Sequence, residues 1–332
     1  MLKTIELRQL LLIILLSVSV VPVFSQQEPH FTHNMFNNMA INPGSAGSND
    51  AICATGLVRQ QWVGFKDPDG NKVAPETYLF SINSPIRLVH GGVGLTFVQD
   101  KLGFSKDMNL KIAYAYRFDF GMGKMGIGLD IGFVNKSADF SKYKPLEEDP
   151  LLDKLSGEQS DMLIDLGFGA FYMVPNKYYL GLSTVQLMEG KGKTLAEYVS
   201  PDLNSSLALR YNLKRHYYLA GGYEFPWPGN PLFEIDPSVL VKTDGVKTEY
   251  SLAALLKYND RVWGGLNYST LRVMDPLAIM LGLHFKDFRV GYSYGIPTSA
   301  IGSSGSHEVM VNYCFKIEID KGRRSYRNTR FL

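Results

Sequence analysis

The sequence predicts an all-β fold, a transmembrane antiparallel barrel of about 14 strands set in an outer membrane. Three observations carry this reading. An export signal opens the chain, apolar and polar residues alternate with period 2 from residue 51 onward, and no later apolar run is long enough to span a bilayer as a helix. Hydrocarbon offers backbone groups no water to pair with, so a helix-free chain crosses it as a closed barrel.

Residues 1–25 have the parts of a cleaved signal peptide. Lys3 and Arg8 supply the positive start, Leu10 to Val21 the apolar stretch, and Val23-Phe24-Ser25 the small-residue site before Gln26. A membrane anchor needs about 20 apolar residues, and this run stops short of that at Pro22. The formal net charge of +2 gives no bulk attraction to nucleic acid. Aromatics make up 12% of the residues and there are 32 glycines, a mixture suited to twisted strands, tight turns and interfacial rings.

The alternation is clearest at Met108, Leu110, Ile112, Tyr114, Tyr116, Phe118 and Phe120, which share one face. Asp107, Asn109, Lys111, Ala113, Ala115, Arg117 and Asp119 share the other. After a Gly121-Met122-Gly123 turn the pattern resumes with Met125, Ile127, Leu129, Ile131 and Phe133. A soluble barrel also alternates, but many runs here reach the roughly 9–11 residues of a tilted membrane strand. A barrel of about 14 strands is also too wide for inward Leu and Phe to fill. The apolar face therefore meets lipid, and the lumen is expected to be polar and wet.

Strands are expected near 52–62, 76–85, 90–100, 106–118, 121–137, 161–174, 177–186, 207–224, 232–243, 246–258, 260–269, 275–285, 287–295 and 307–317. The stretch 204–220 has no Gly or Pro and reads as one long strand overhanging the outer rim. Even parity puts the longer connections outside and the short turns, with both chain ends, in the periplasm. Residues 51–317 are then the barrel. Residues 26–50 mix aromatics with Asn and lack alternation, which suggests an ordered segment at the inner mouth or in the lumen. Residues 318–332 form a basic periplasmic tail.

No nucleophile–base pair, phosphate loop or metal spacing stands out, so neither an enzyme nor a cofactor is expected. His30 and His33 are the close pair among six scattered histidines, too few ligands at metal spacing to read as a metal site. Glu147, Glu148, Asp149 and Asp153 read as a solvated acidic loop before a calcium site. Gly126, Gly128, Gly167 and Gly169 sit within strands, where they leave room on a crowded inner wall.

The charged inward face is the candidate binding surface. Parity places Arg59, Lys111, Arg117, Asp130, Asp165, Glu224, Arg261, Arg289 and Glu308 in the lumen. They either pair with one another or recognise a polypeptide. Cys53 and Cys314 also point inward, near the inner end of the first and last strands, which are neighbours in a closed barrel. They read either as two separate thiols or as a disulfide across the seam.

Several of these segments resemble the PorP/SprF family of the type IX secretion system. His30-Phe31-Thr32-His33-Asn34-Met35-Phe36-Asn37 through Asn42-Pro43-Gly44-Ser45-Ala46-Gly47-Ser48 is similar to that family's N-terminal signature. Arg59-Gln60-Gln61-Trp62, His216 to Tyr223, Asp236-Pro237-Ser238 and Ser306-His307-Glu308 match further elements. Gly44 stands where the family usually has alanine. The resemblance implies a barrel that helps export secreted proteins, often adhesins linked to gliding motility, and anchors them through a C-terminal sorting domain. It also implies contacts with periplasmic and outer-membrane components of that machine and with membrane lipid. A porin or small hydrophobic-solute transporter is the alternative.

Overall fold

The computed structural model describes residues 28–67, 69–142, 157–199, 206–272, 274–298 and 303–316. The expected signal peptide, the tail 318–332 and the acidic loop at Glu147–Asp153 lie outside the described residues.

The strands are β1 (Ile52–Gln60), β2 (Glu76–Ile86), β3 (Gly91–Leu102), β4 (Ser105–Phe120), β5 (Gly123–Asp139) and β6 (Glu158–Val174). They continue with β7 (Tyr178–Val185), β8 (Lys191–Val199), β9 (Ser206–Asn212), β10 (His216–Tyr223), β11 (Phe225–Pro226) and β12 (Phe233–Thr243). The last five are β13 (Thr248–Tyr258), β14 (Val262–Ser269), β15 (Leu277–Phe285), β16 (Phe288–Ile296) and β17 (Ser306–Phe315). All but β8, β9 and β11 form one closed antiparallel barrel of 14 strands, sealed where β1 pairs β17 and where β10 pairs both β7 and β12. β11 carries the edge of β10 two residues further along β12. Among the described residues no helix is long and apolar enough to cross a membrane.

The alternation resolves into two faces. Ile112 (53% exposed), Tyr116, Leu129, Ile131, Ile164 and Leu281 point outward and are exposed, as a lipid face requires. Near the short turns this face ends in a ring of aromatics. Phe120 meets Tyr172, Tyr172 meets Tyr178, Tyr178 stacks on Tyr223, Phe233 packs on Tyr258 and Phe288 on Tyr313. Rings of this kind sit at the interface, where an apolar body and a polar tip are both satisfied.

The long strand expected over 207–224 is two strands. The chain breaks at Leu213-Lys214-Arg215, and β9 turns away to pair with β8 as a separate hairpin above the rim. Leu213 is buried with Val134 and Leu163, which anchors the foot of the hairpin. The other foot turns through Gln186 and Glu189, both in the left-handed region at φ 59° and 47°. No Gly or Pro marks the break, because a buried leucine rather than a turn residue fixes it.

The lumen differs from the wet, polar interior expected. Inward-facing Leu57, Leu79, Leu255, Trp263, Met280 and Met310 are buried, and the partly buried Phe31, Met35 and Phe36 pack against them. A barrel of this width cannot fill itself with its own side chains. Here residues 28–50 lie inside it, in three single turns of 3-10 helix at Asn34–Phe36, Asn38–Ala40 and Pro43–Ser45. Residues 42–48 are buried throughout.

Candidate functional site

The N-terminal segment descends from the loop mouth to the turn mouth, and each level has its own chemistry. Near the loop mouth, Glu28 lies 3.9 Å from Lys111, while its main-chain oxygen accepts 2.7 Å from Lys242 and its carboxylate accepts 2.9 Å from Gln186. Burial pushes the Glu28 carboxyl up, but Lys111, His216 and Lys242 together hold it below its ordinary range. His30 sits 2.5 Å from Glu249, which also accepts from Ser269. Burial, with Lys242 close by, outweighs that carboxylate and pulls His30 down to about 4. The imidazole is therefore neutral at pH 7 and donates to Glu249.

One turn further, Glu308 gathers the segment. Its carboxylate accepts the backbone N–H groups of Thr32 (2.9 Å) and His33 (2.8 Å) and the His33 ring at 2.6 Å. Arg59, opposite Glu308 in the β1–β17 register, donates to it at 3.3 Å, to Asp275 at 3.3 Å and to the Thr32 hydroxyl at 3.2 Å. Arg272 reaches the same hydroxyl at 3.0 Å, and burial beside Arg59 pushes its guanidinium down to about 10. A fully buried carboxylate with this many donors is a fixed part of the structure, because losing one partner leaves the rest uncompensated.

At mid-depth the wall becomes bare. Asn42-Pro43-Gly44 lies against glycines of β5, β6 and β7, with Asn42 Nδ2 donating to the carbonyls of Ala170 (3.0 Å) and Leu182 (3.3 Å). A side chain at Gly126, Gly128 or Gly169 would overlap Gly44, Pro43 or Asn42 respectively. Gly44 itself is hemmed in, since a Cβ there would stand 2.8 Å from the carbonyls of Gly126 and Gly169. Alanine, usual in the resembled family, has no room in this bay without a shift. Below it, Arg117 donates to the carbonyls of Gly47 and Ser48 and pairs with Asp50 at 3.3 Å.

Several sequence-predicted residues therefore meet the N-terminal segment: Arg59 and Glu308 in one cluster, Lys111 at Glu28, and Arg117 at its end. Asp130 and Asp165 are buried in the wall beside it, and Asp165 accepts from the Met188 N–H at 3.2 Å. Glu224 lies at the turn mouth, 3.9 Å from Lys257, which also pairs with Asp236. Arg289 lies over the Phe36 ring, 4.9 Å from its centroid. Arg261 is the exception: it sits in the turn before β14 and is exposed, because strand parity does not extend into a turn. Thr32, His30, His33, Asp275 and Arg272 carry no sequence sign of being wall partners, since most of their contacts lie more than 200 residues away. His30 and His33 face two different carboxylates, and among the described residues no group of three or more His, Cys, Asp or Glu is placed to hold a metal.

Cys53 and Cys314 stand opposite each other in the β1–β17 register and are joined by a disulfide, with Cα atoms 4.0 Å apart. They line a cavity of about 480 Å³ at the turn mouth, floored by residues 35–49 and open to solvent.

Three solved structures illustrate the general likeness of shape. The monoaromatic hydrocarbon channel CymD shares 12% identity over 85% of this chain and 92% of its own, with a TM-score of 0.49. The Pseudomonas putida toluene transporter TodX shares 10% over 83% and 92%, at 0.46, and a Pseudomonas aeruginosa FadL homologue 12% over 86% and 94%, at 0.46. No curated protein matches the sequence. The model of the type IX secretion system membrane protein PorP/SprF matches residues 23–313. With 14 antiparallel strands and a lipid-facing apolar surface, the chain is an integral outer-membrane barrel that belongs to the PorP/SprF family.

Proposed function

We propose that this barrel works as a filled, protein-binding component of type IX secretion, which helps export or anchor particular secreted proteins through a C-terminal domain. The supporting observation is the occupied lumen. Buried ion pairs and hydrogen bonds tie residues 28–50 to the wall from Lys111 at one level to Arg117 at another. A passage for free solute would have to break several of them. The short-turn mouth, carrying both ends of the barrel, faces the periplasm in this reading, and the hairpin β8–β9 faces outside.

Deleting the chain should remove a defined set of proteins from the cell surface, read by surface proteomics. The purified barrel should pass little current in a planar bilayer. Porin-like conductance with an unchanged surface proteome would overturn the reading. A second reading, transport of a small solute, is favoured by the turn-mouth cavity, whose volume falls within the roughly 300–1,000 Å³ of ligand pockets. Solute uptake lost on deletion would select it.

A further inference from the structure

The hairpin β8–β9 stands on two feet that are laced together. One runs from Gln186 to Gly190 and the other from Leu213 to His216. The Leu213 N–H donates to the Gly190 carbonyl at 2.9 Å, Arg215 donates to the Leu187 carbonyl at 2.9 Å, and its guanidinium lies 3.8 Å from Glu189. Wall carboxylates hold the feet from below. Asp165 accepts the Met188 N–H at 3.2 Å, and Asp161 accepts the Lys193 N–H at 2.6 Å.

Gln186 joins this base to the lumen. It is 3% exposed and sits in the left-handed region at φ 59°, a conformation that costs a long side chain energy and that its surroundings must enforce. Its amide points both ways. Nε2 donates to Glu28 Oε1 at 2.9 Å, and Oε1 lies 3.2 Å from Nδ1 of the buried His216, on the other foot. The Lys214 carbonyl faces the same ring nitrogen at 2.8 Å, so two acceptors meet it and it carries the proton. A second route runs alongside, because Lys111 acts on both Glu28 and Asp165, and Asp165 holds Met188. The start of the N-terminal segment is thus bonded to the place where the hairpin leaves the wall. The rest of the segment is anchored elsewhere, at Glu308 and in the glycine bay.

We propose that Gln186 couples the surface hairpin to the N-terminal segment, so that a protein drawing β8–β9 away from the rim releases Glu28 to His30 from the wall. A shift of either foot breaks one side of the Gln186 amide, and the left-handed backbone then loses a bond that holds it. Linkage makes the effect mutual, since whatever frees the start of the segment loosens the feet by the same free energy. Residues 32–48 stay docked. The coupling goes beyond the filled-barrel reading and holds whichever protein the hairpin meets.

The test uses the folded full-length barrel with a Pro29→Cys thiol, free because Cys53 and Cys314 are bonded to each other. Its rate of reaction with a membrane-impermeant maleimide reports release of the segment's start. Arg215→Ala, which cuts the lacing, should raise that rate about fivefold, the worth of one hydrogen bond. Gln186→Asn suits the left-handed backbone but is too short to bridge Glu28 and His216, and should raise it as much. The two together should raise it no further, because they break the same link. Lys177→Ala, at an exposed lysine of the opposite mouth, should leave it unchanged. In the other direction, Glu28→Ala should speed tryptic cleavage at the exposed Lys191 and Lys193 by a similar factor. Heat-dependent mobility on gels confirms that each variant is folded. An unchanged maleimide rate in folded Arg215→Ala, full additivity with Gln186→Asn, or unchanged cleavage in Glu28→Ala overturns the coupling. Conductance is measured separately, so a non-conducting barrel without coupling would refute this inference and leave the filled-barrel reading standing.

Discussion

Glu308 is the residue on which the filled lumen most depends. Three of its bonds reach the N-terminal segment and one reaches Arg59. Glu308→Gln keeps the shape but leaves Arg59 inside the wall with Asp275 as its remaining ion-pair partner. Breaking one side of a buried pair costs about 3–5 kcal/mol. The variant should still form a barrel, yet lose hydrogen-exchange protection over residues 28–40 and gain conductance. Lys111 follows the same logic. It is buried beside Glu28 with Asp130 and Asp165 in the same wall, so Lys111→Ala should loosen the upper end of the segment far more than an exposed lysine change would.

At the scale of the element, the N-terminal segment is held by shape and by charge, and each can be tested alone. The glycine bay is the shape component. Gly169→Val should exclude Asn42-Pro43 and expose the segment to added protease, whereas Gly56→Ala, whose side chain would meet nothing within 4 Å, should stay within about 0.5 kcal/mol of native stability. Charge makes docking depend on pH. His30 is neutral when docked, with a pKa of about 4, against 6.5 when released. The resulting stabilisation is complete above pH 6.5 and drains away as pH falls toward 4, by up to about 1.4 kcal/mol per pH unit. Glu28, also held below its ordinary range, acts in the same direction at the acid end. Hydrogen exchange at pH 7.5 and pH 5 should show segment protection falling while strand protection holds. A His30→Gln variant should flatten the dependence. The order within this segment was suggested by its aromatic and Asn content, but its path was not legible: 3-10 turns carry no sequence period, and each anchor comes from a distant strand.

For the whole molecule, the alternating pattern made the barrel legible because one face must meet hydrocarbon and the other must not. Met108, Ile112 and Tyr116 do lie on the outer side, and Lys111 and Arg117 on the inner. Ile112→Arg should impair assembly, since a charge facing lipid near mid-bilayer costs roughly 2–4 kcal/mol, measured as loss of the heat-modifiable band. The same pattern concealed the hairpin, because alternation runs from Leu207 to Leu213 and resumes at Tyr217, with Arg215 alone out of step where the chain returns to the wall. It also could not show the lumen's apolar layer. Leu57, Met280 and Met310 sit among polar neighbours on the inner face, and only Phe31, Met35 and Phe36 from the distant N-terminal segment cover them.

The disulfide gives the barrel a mechanical property. Both ends of the barrel emerge at the turn mouth, so a pull on the chain beyond Phe315 loads the β1–β17 seam as a zipper, one hydrogen-bonded pair at a time. Among the nine pairs of that seam, Ile52–Phe315 alone lies outside the Cys53–Cys314 bond. A tug from that end therefore peels a single pair and then meets a covalent hoop, and the load passes around the wall instead of opening it. Stretched between handles at the two barrel ends, Ile52 and Phe315, the oxidised barrel should resist until strands tear elsewhere, and the reduced barrel should unzip at the seam at much lower force.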